Sequence, residues 1–306
     1  MKAPYFTLQG VRMAKKFLLL VACLWLWGCG ARVGEQGGIV TSFSVLCDLV
    51  SQLGAETQCL IPPERDPHTY EPTPQDRKTI ETAAVIIYGG LNFEPAIIKM
   101  VEASNNRALK LPVFEQAPIQ IIEGDPHVWH DVKNGIALAN FIAEKLQTHT
   151  PDRAGIYQQN LQKLTQELLK LDRWIEIQIA TIPGKNRRLV TTHDAFRYYS
   201  RAYGIKVEGT LLGFTTEEEP TAQQVKNLID RIKRVGIPTI FAELTANDRV
   251  LRNIAKEAGV KIADRVLIAD GIGKSGTPAG SYQGMLIYNT CTIVEGLGGK
   301  CSPFSD

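Results

Sequence analysis

Three of the five histidines in the chain stand in loop-like stretches beside acidic or turn-fixing residues: His68, His127 and His193. His68 and His127 each follow an Asp-Pro pair, Asp66-Pro67 and Asp125-Pro126. Proline fixes φ and removes a donor, so each imidazole is presented from a stiff loop. His193 and Asp270 directly follow strand-like segments. Neutral imidazole and carboxylate together suit a borderline divalent ion such as zinc in four-coordinate geometry. Each residue also has a plainer role open to it. His68 could be a solvated loop residue, and His193 could cap a helix while bonding Asp194. His127 and His130, three apart, could line one helix face. No Cys-x-x-Cys pair exists, which argues against a thiolate metal cluster.

The elements that must position these residues alternate. Strands are expected at 38–43, 57–61 and 84–88, and helices at 45–53, 75–82, 94–103 and from 131 to about 147. The residues Thr41, Ser42 and Ser44 read as caps for the first helix, and 104–125 as a polar loop. Beyond residue 183 the alternation restarts, with strands at 188–192, 206–212, 239–242 and 260–268. Helices are expected at 194–199, 221–235, 248–258 and 281–297. Strands alternating with helices argue for parallel sheets covered on both faces. Ligands of such sheets bind beyond the carboxyl ends of the strands. The candidate residues sit there.

Between the two runs lies the segment from Thr150 to Ile182. Its apolar residues, Tyr157, Leu161, Leu164, Leu168, Leu171, Ile175, Ile179 and Ile182, fall at steps of three and four and form one continuous stripe. Thr150 is placed to cap it, with Pro151 at the first helical position and Pro183-Gly184 as the stop. Such a helix is about 46 Å long, more than a small lobe is wide. The expected architecture is α/β: two doubly wound lobes, 39–149 and 183–306, joined by one long rigid helix, 150–182, with a metal site in the cleft.

The N-terminus belongs to neither lobe. Lys15 and Lys16 precede an uncharged run from Phe17 to Trp27, too short to span a bilayer but suited to the core of a signal peptide. Leu26-Trp27-Gly28-Cys29 resembles the bacterial lipobox, in which the cysteine is acylated. Residues 1–28 then form a signal peptide and 29–38 a flexible tether. Residues 1–28 hold Lys2, Arg12, Lys15 and Lys16 and no acid, so removing them takes the net charge from +2 to −2. Nothing suggests a nucleic-acid partner. Cys47, Cys59, Cys291 and Cys301 remain, an even number that permits two disulfides in an exported protein. Cys47 on a helix and Cys59 in a strand equally suit buried free thiols.

Four motifs carry a resemblance to a known family. Asp66-Pro67-His68-Thr69-Tyr70-Glu71-Pro72-Thr73-Pro74 looks like a signature of the zinc/manganese solute-binding lipoproteins of metal ABC transporters, the TroA/ZnuA type. Asp125-Pro126-His127-Val128-Trp129 resembles the second motif, and Thr192-His193-Asp194-Ala195-Phe196 with Tyr199 the third. Asp270-Gly271, then Ser281-Tyr282 with Met285 and Asn289, resemble the fourth. The similarity spans the whole mature chain in order, long helix included. It implies His68, His127, His193 and Asp270 as metal ligands, two from each lobe. His130 stands where the family usually has an aliphatic residue and, with Asp194, is expected behind the ligands or at the surface. The His-rich, acidic loop of many zinc-specific members is absent.

The resemblance implies capture and delivery rather than catalysis. A monomeric protein, anchored through Cys29 on the outer side of a bacterial plasma membrane, would take up a divalent ion and dock on an ABC permease. Manganese-handling relatives often carry Glu at the position of His193, so Zn2+ is expected over Mn2+. Imidazole must be neutral to bind metal, so affinity is expected to fall as pH drops through about 6. Two other classes compete. A secreted zinc hydrolase would need an open coordination position, which Asp270 would fill, and no His-Glu-x-x-His sequence is present. A surface adhesin role, reported for some relatives, has no discriminating sequence feature.

Overall fold

The computed structural model describes residues 1–2 and 37–305; the expected signal peptide, Cys29 and nearly all of the tether lie outside the described residues. The first sheet contains β1 (Ile39–Phe43), β2 (Thr57–Ile61), β3 (Val85–Tyr88) and β4 (Leu109–Pro112), all parallel in the order β2-β1-β3-β4. β1 and β3 lie at its centre and are almost entirely buried, as strands covered on both faces must be. The helices are α1 (Ser44–Gln52), α2 (Pro74–Thr82), α3 (Pro95–Ala103), α4 (Val113–Gln116) and α5 (Val132–His149). β4 and α4 lie in the stretch read as a polar loop. β4 has only four residues, and just one of them, Leu111, is fully buried, so its apolar signal was weak.

The second lobe repeats this plan. β5 (Arg188–Thr191) pairs in parallel with β6 (Lys206–Thr210), and β7 (Thr239–Ile240) with β8 (Lys261–Ile262). Phe241 N donates to Val190 O at 2.9 Å, which lays β7 beside β5 and gives the order β6-β5-β7-β8. The helices are α7 (Arg197–Tyr203), α8 (Ala222–Val235), α9 (Arg249–Ala258) and α10 (Tyr282–Gly296). The strand expected over 260–268 is broken. The chain bends at Asp264 and Arg265, and pairing resumes only where Leu267 meets Glu243. Thr221 and Ser281 cap α8 and α10 through their hydroxyls, whereas the caps expected for α1 are absent: Phe43 occupies the cap position without a side-chain bond.

The connecting helix α6 (Ala154–Ala180) is shorter than the expected 150–182, being preceded by a 3-10 turn at Pro151–Arg153. Thr150 does not cap it. A residue before proline is pushed out of the α region, and Thr150 instead closes α5, donating to Leu146 O at 2.9 Å. The stripe itself is buried from Tyr157 to Ile182, no member more than 8% exposed. At 27 residues the helix is about 40 Å long. Asn160 and Arg153 near its start bond the carbonyls of Leu53 and Gly54 in the first lobe. Asp172 and Gln178 nearer its end take Tyr203 OH and Ser302 N of the second. One continuous apolar core joins the first lobe, this helix and the inner side of the second lobe, while α8 and α9 pack a separate core at the far side. Cys47–Cys59 and Cys291–Cys301 are both disulfides, tying α1 to β2 and the C-terminal tail to α10. The open choice between free thiols and disulfides falls to disulfides.

Candidate metal centre

His68 follows β2 and His127 follows α4, both in the first lobe, while His193 follows β5 and Asp270 the Leu267 bridge in the second. The structure brings all four together. One donor atom from each lies within 4.8 Å of the other three, and all four side chains are buried. Asp270 Oδ1 stands 3.7, 3.3 and 3.2 Å from the Nε2 atoms of His68, His127 and His193. His127 Nε2 lies 3.4 Å from that of His68 and 3.3 Å from that of His193. A tetrahedron of donors around zinc, with bonds of about 2.0–2.1 Å, has edges of about 3.3–3.4 Å. These five separations, 3.2–3.7 Å, bracket that value.

What sits behind two of the three imidazoles fixes their tautomers. His127 Nδ1 meets Asp125 Oδ1 at 2.8 Å, and the same oxygen accepts from His127 N at 2.9 Å. His193 Nδ1 meets Glu243 Oε2, while Glu243 Oε1 accepts from Thr192 N and His193 N at 2.9 and 3.1 Å. A carboxylate only accepts, so both Nδ1 atoms carry the proton and both Nε2 lone pairs turn to the centre. Asp270 Oδ2 accepts from Thr245 Oγ1 at 3.2 Å, whereas Oδ1, aimed at the imidazoles, is buried without a hydrogen bond. Lone pairs converging on an anionic oxygen in a dry site repel unless a cation or protons occupy it. Without metal, protons fill that role. Burial alone would lower His193 and His127, but Asp270 and Glu243 overrule it at His193, and Asp125 and Asp270 do so at His127, so both imidazoles titrate above their ordinary range. The same partners, His193 first, overcome the burial of Asp270 and hold it well below the carboxylate range.

Glu243 was not singled out from the sequence. It lies beyond β7, 50 residues from His193, and only the β5–β7 pairing brings the two together. A carboxylate closing the third strand of a repeated β/α run, beside a histidine closing the first, is the signal that could have found it. Asp125, in the second Asp-Pro-His motif, has the matching role for His127. His130 is fully buried, not at the surface: Nε2 donates to Ala269 O at 2.9 Å, and burial drives its pKa down to about 3, so it stays neutral. Trp129 Nε1 reaches the same carbonyl at 3.3 Å. Two residues of the first lobe therefore hold the backbone next to Asp270 in the second. Asp194 turns away from the cluster and pairs with Arg197 at 2.7 Å. Glu71, in the first motif, is exposed and outside the cluster.

Two lobes of repeated topology, a packed spanning helix and a buried cluster of three imidazoles and one carboxylate between them define a metal-binding solute-binding protein. The chain belongs to the family of the zinc-uptake complex component A, periplasmic, whose model matches residues 39–296. It is 33% identical to the manganese-binding lipoprotein MntA of Halalkalibacterium halodurans, over 92% of this chain and 97% of that one. The periplasmic zinc-binding protein TroA from Treponema pallidum superposes with a TM-score of 0.81 at 31% identity, covering 86% of this chain and 99% of TroA. Fe(III)-bound YtgA from Chlamydia trachomatis follows with a TM-score of 0.77 at 25% identity, covering 87% and 100%. Among the described residues no helix is long and apolar enough to cross a membrane.

Proposed function

We propose that this protein captures zinc outside the cytoplasmic membrane and hands it to the permease of an ABC importer, with His68, His127, His193 and Asp270 as the ligands. The observation that carries the reading is the convergence of three imidazole Nε2 atoms and one unpartnered carboxylate oxygen at tetrahedral spacing. Each lobe supplies two ligands, so bound metal joins the lobes. The continuous core, the Tyr282 OH–Trp129 O bond of 2.6 Å and the Ser44 Oγ–Ile272 N bond of 3.1 Å resist wide opening. Capture and release therefore work by small shifts at the loops.

Two disulfides suit an oxidising compartment outside the cytoplasm. Relatives named as lipoproteins support anchoring through Cys29. Manganese is the second reading, favoured by the name of the MntA relative. Asp270 completes a four-donor set, which leaves no position for a hydrolytic water and favours carriage over catalysis. Metal analysis of protein purified from its own envelope without added metal tests the assignment. One equivalent of zinc is expected; metal-free protein that takes up neither zinc nor manganese would end it. Mass spectrometry of the mature N-terminus checks the anchor: acylated Cys29 is expected, and an unmodified N-terminus elsewhere would refute it.

A further inference from the structure

The two Asp-Pro-His motifs are used differently. Asp125 folds back onto its own histidine and gives one oxygen to both the backbone and the ring of His127. Asp66 also accepts from the backbone of its histidine, His68 N, at 2.9 Å. Its other oxygen leaves the motif and accepts from Thr216 Oγ1, in the loop between β6 and α8 of the opposite lobe. That loop is rooted beside another ligand. Leu211 N and Leu212 N donate to Thr192 O at 3.1 and 2.9 Å, and Asp194 N donates to Gly213 O at 2.9 Å. A hydrogen-bonded path thus runs from the residues flanking His193, through 211–216, to Asp66 and His68.

His68 is also the ligand with the least behind it. No carboxylate backs its ring among the described residues, and it is the most exposed of the four at 4%. A groove of about 620 Å³ is lined by residues that flank His68 in sequence, Arg65, Asp66, Thr69 and Tyr70, and by Leu244 and Thr245 of the second lobe, Thr245 being the residue that bonds Asp270. The neighbouring pair Lys274–Glu64 also crosses the lobes at 3.1 Å, but its lysine is largely exposed. Such a surface pair holds little.

We propose that the Thr216–Asp66 hydrogen bond latches the His68 loop to the second lobe and sets how fast captured metal escapes through this groove. The inference rests on the four-donor cluster being the metal site. Thr216 is a positioning residue: it touches no metal, and its loss leaves all four ligands in place. Thr216→Val keeps the shape and removes the donor. A half-buried hydrogen bond to a carboxylate lies at the low end for charged partners, so loss of zinc into excess EDTA should run about tenfold faster. The association rate and the far-UV circular dichroism should be unchanged, and Thr216→Ser should restore slow release. Equal escape rates in the unmutated and Thr216→Val chains, or a serine variant that stays fast, would overturn the latch alone. An unmutated chain that retains no zinc would overturn the metal reading and the latch with it.

Discussion

Glu243 and His193 lie at the ends of neighbouring strands, and one carboxylate satisfies three groups at once: the ring Nδ1 and backbone N of His193, and Thr192 N. They meet where the strand order of the second sheet reverses, between β5 and β7, the place at which α/β sheets gather ligands. The backbone bonds hold Glu243 in place. Its second oxygen then has no choice but the imidazole.

Glu243→Gln keeps the shape and reverses the chemistry. Its amide can still accept from Thr192 N and His193 N, but its NH2 then faces Nδ1. The ring must place its proton on Nε2, toward the metal. Zinc affinity should fall about tenfold to a hundredfold, the usual cost of losing such a partner. Competition titration against a chelator measures it; an unchanged affinity would mean that the tautomer is held by other means.

Strand and helix alternation and the stripe of α6 were legible from local periodicity, and the four clustered residues from their loop positions together with the family motifs that contain them. The partners behind the ligands were not. Glu243, the Thr216–Asp66 bond and the hold of His130 on Ala269 O join residues 50, 150 and 139 apart in sequence. No local pattern encodes those distances. The missed β4 and the broken end of β8 fail for another reason: each is too short to show a period, and tertiary pairing alone makes it a strand.

The metal-free and metal-bound chains should respond oppositely to pH. With His127 and His193 raised by their carboxylates, their contribution to metal-free stability is fully present below the ordinary imidazole value of about 6.5 and is lost as pH rises through their raised values. Metal binding needs those same rings neutral, so it strengthens over that range. Proton competition therefore begins above about 6.5, higher than unperturbed imidazole suggests. The difference in melting temperature between zinc-loaded and metal-free chains should widen from pH 5.5 to pH 8. At a thousandfold excess of zinc over its dissociation constant the stabilisation is about 4 kcal/mol. A gap that narrows with rising pH, or melting indifferent to chelator, would contradict this site.

The long helix should act as a strut. Leu164 is 2% exposed in the continuous core, and Leu164→Ala should cost about 2–5 kcal/mol of stability. The chain keeps its ligands, so zinc should still bind, but the separation of the lobes should become broader. Small-angle scattering of unmutated protein with and without zinc should differ little. A large domain rotation in that comparison would remove the strut.

Selectivity should turn on His193. Three imidazoles and one carboxylate suit zinc, carboxylate oxygen suits manganese, and manganese already ranks lowest among first-row divalent ions in intrinsic affinity. The unmutated chain should therefore bind zinc more tightly than manganese. His193→Glu exchanges a nitrogen for an oxygen and also sets a second acid against Glu243, a like-charge contact in a dry site. Zinc affinity should drop and the ratio narrow. A double change to His193→Glu with Glu243→Gln relieves the repulsion and should recover manganese binding further than zinc. His130→Ala removes one of two donors to Ala269 O but no ligand, so it should disturb either metal far less than His127→Ala. Competition titration of both metals across these variants decides the matter. Tighter manganese binding by the unmutated chain, or an unchanged ratio in His193→Glu, would place the choice of metal outside the four donors.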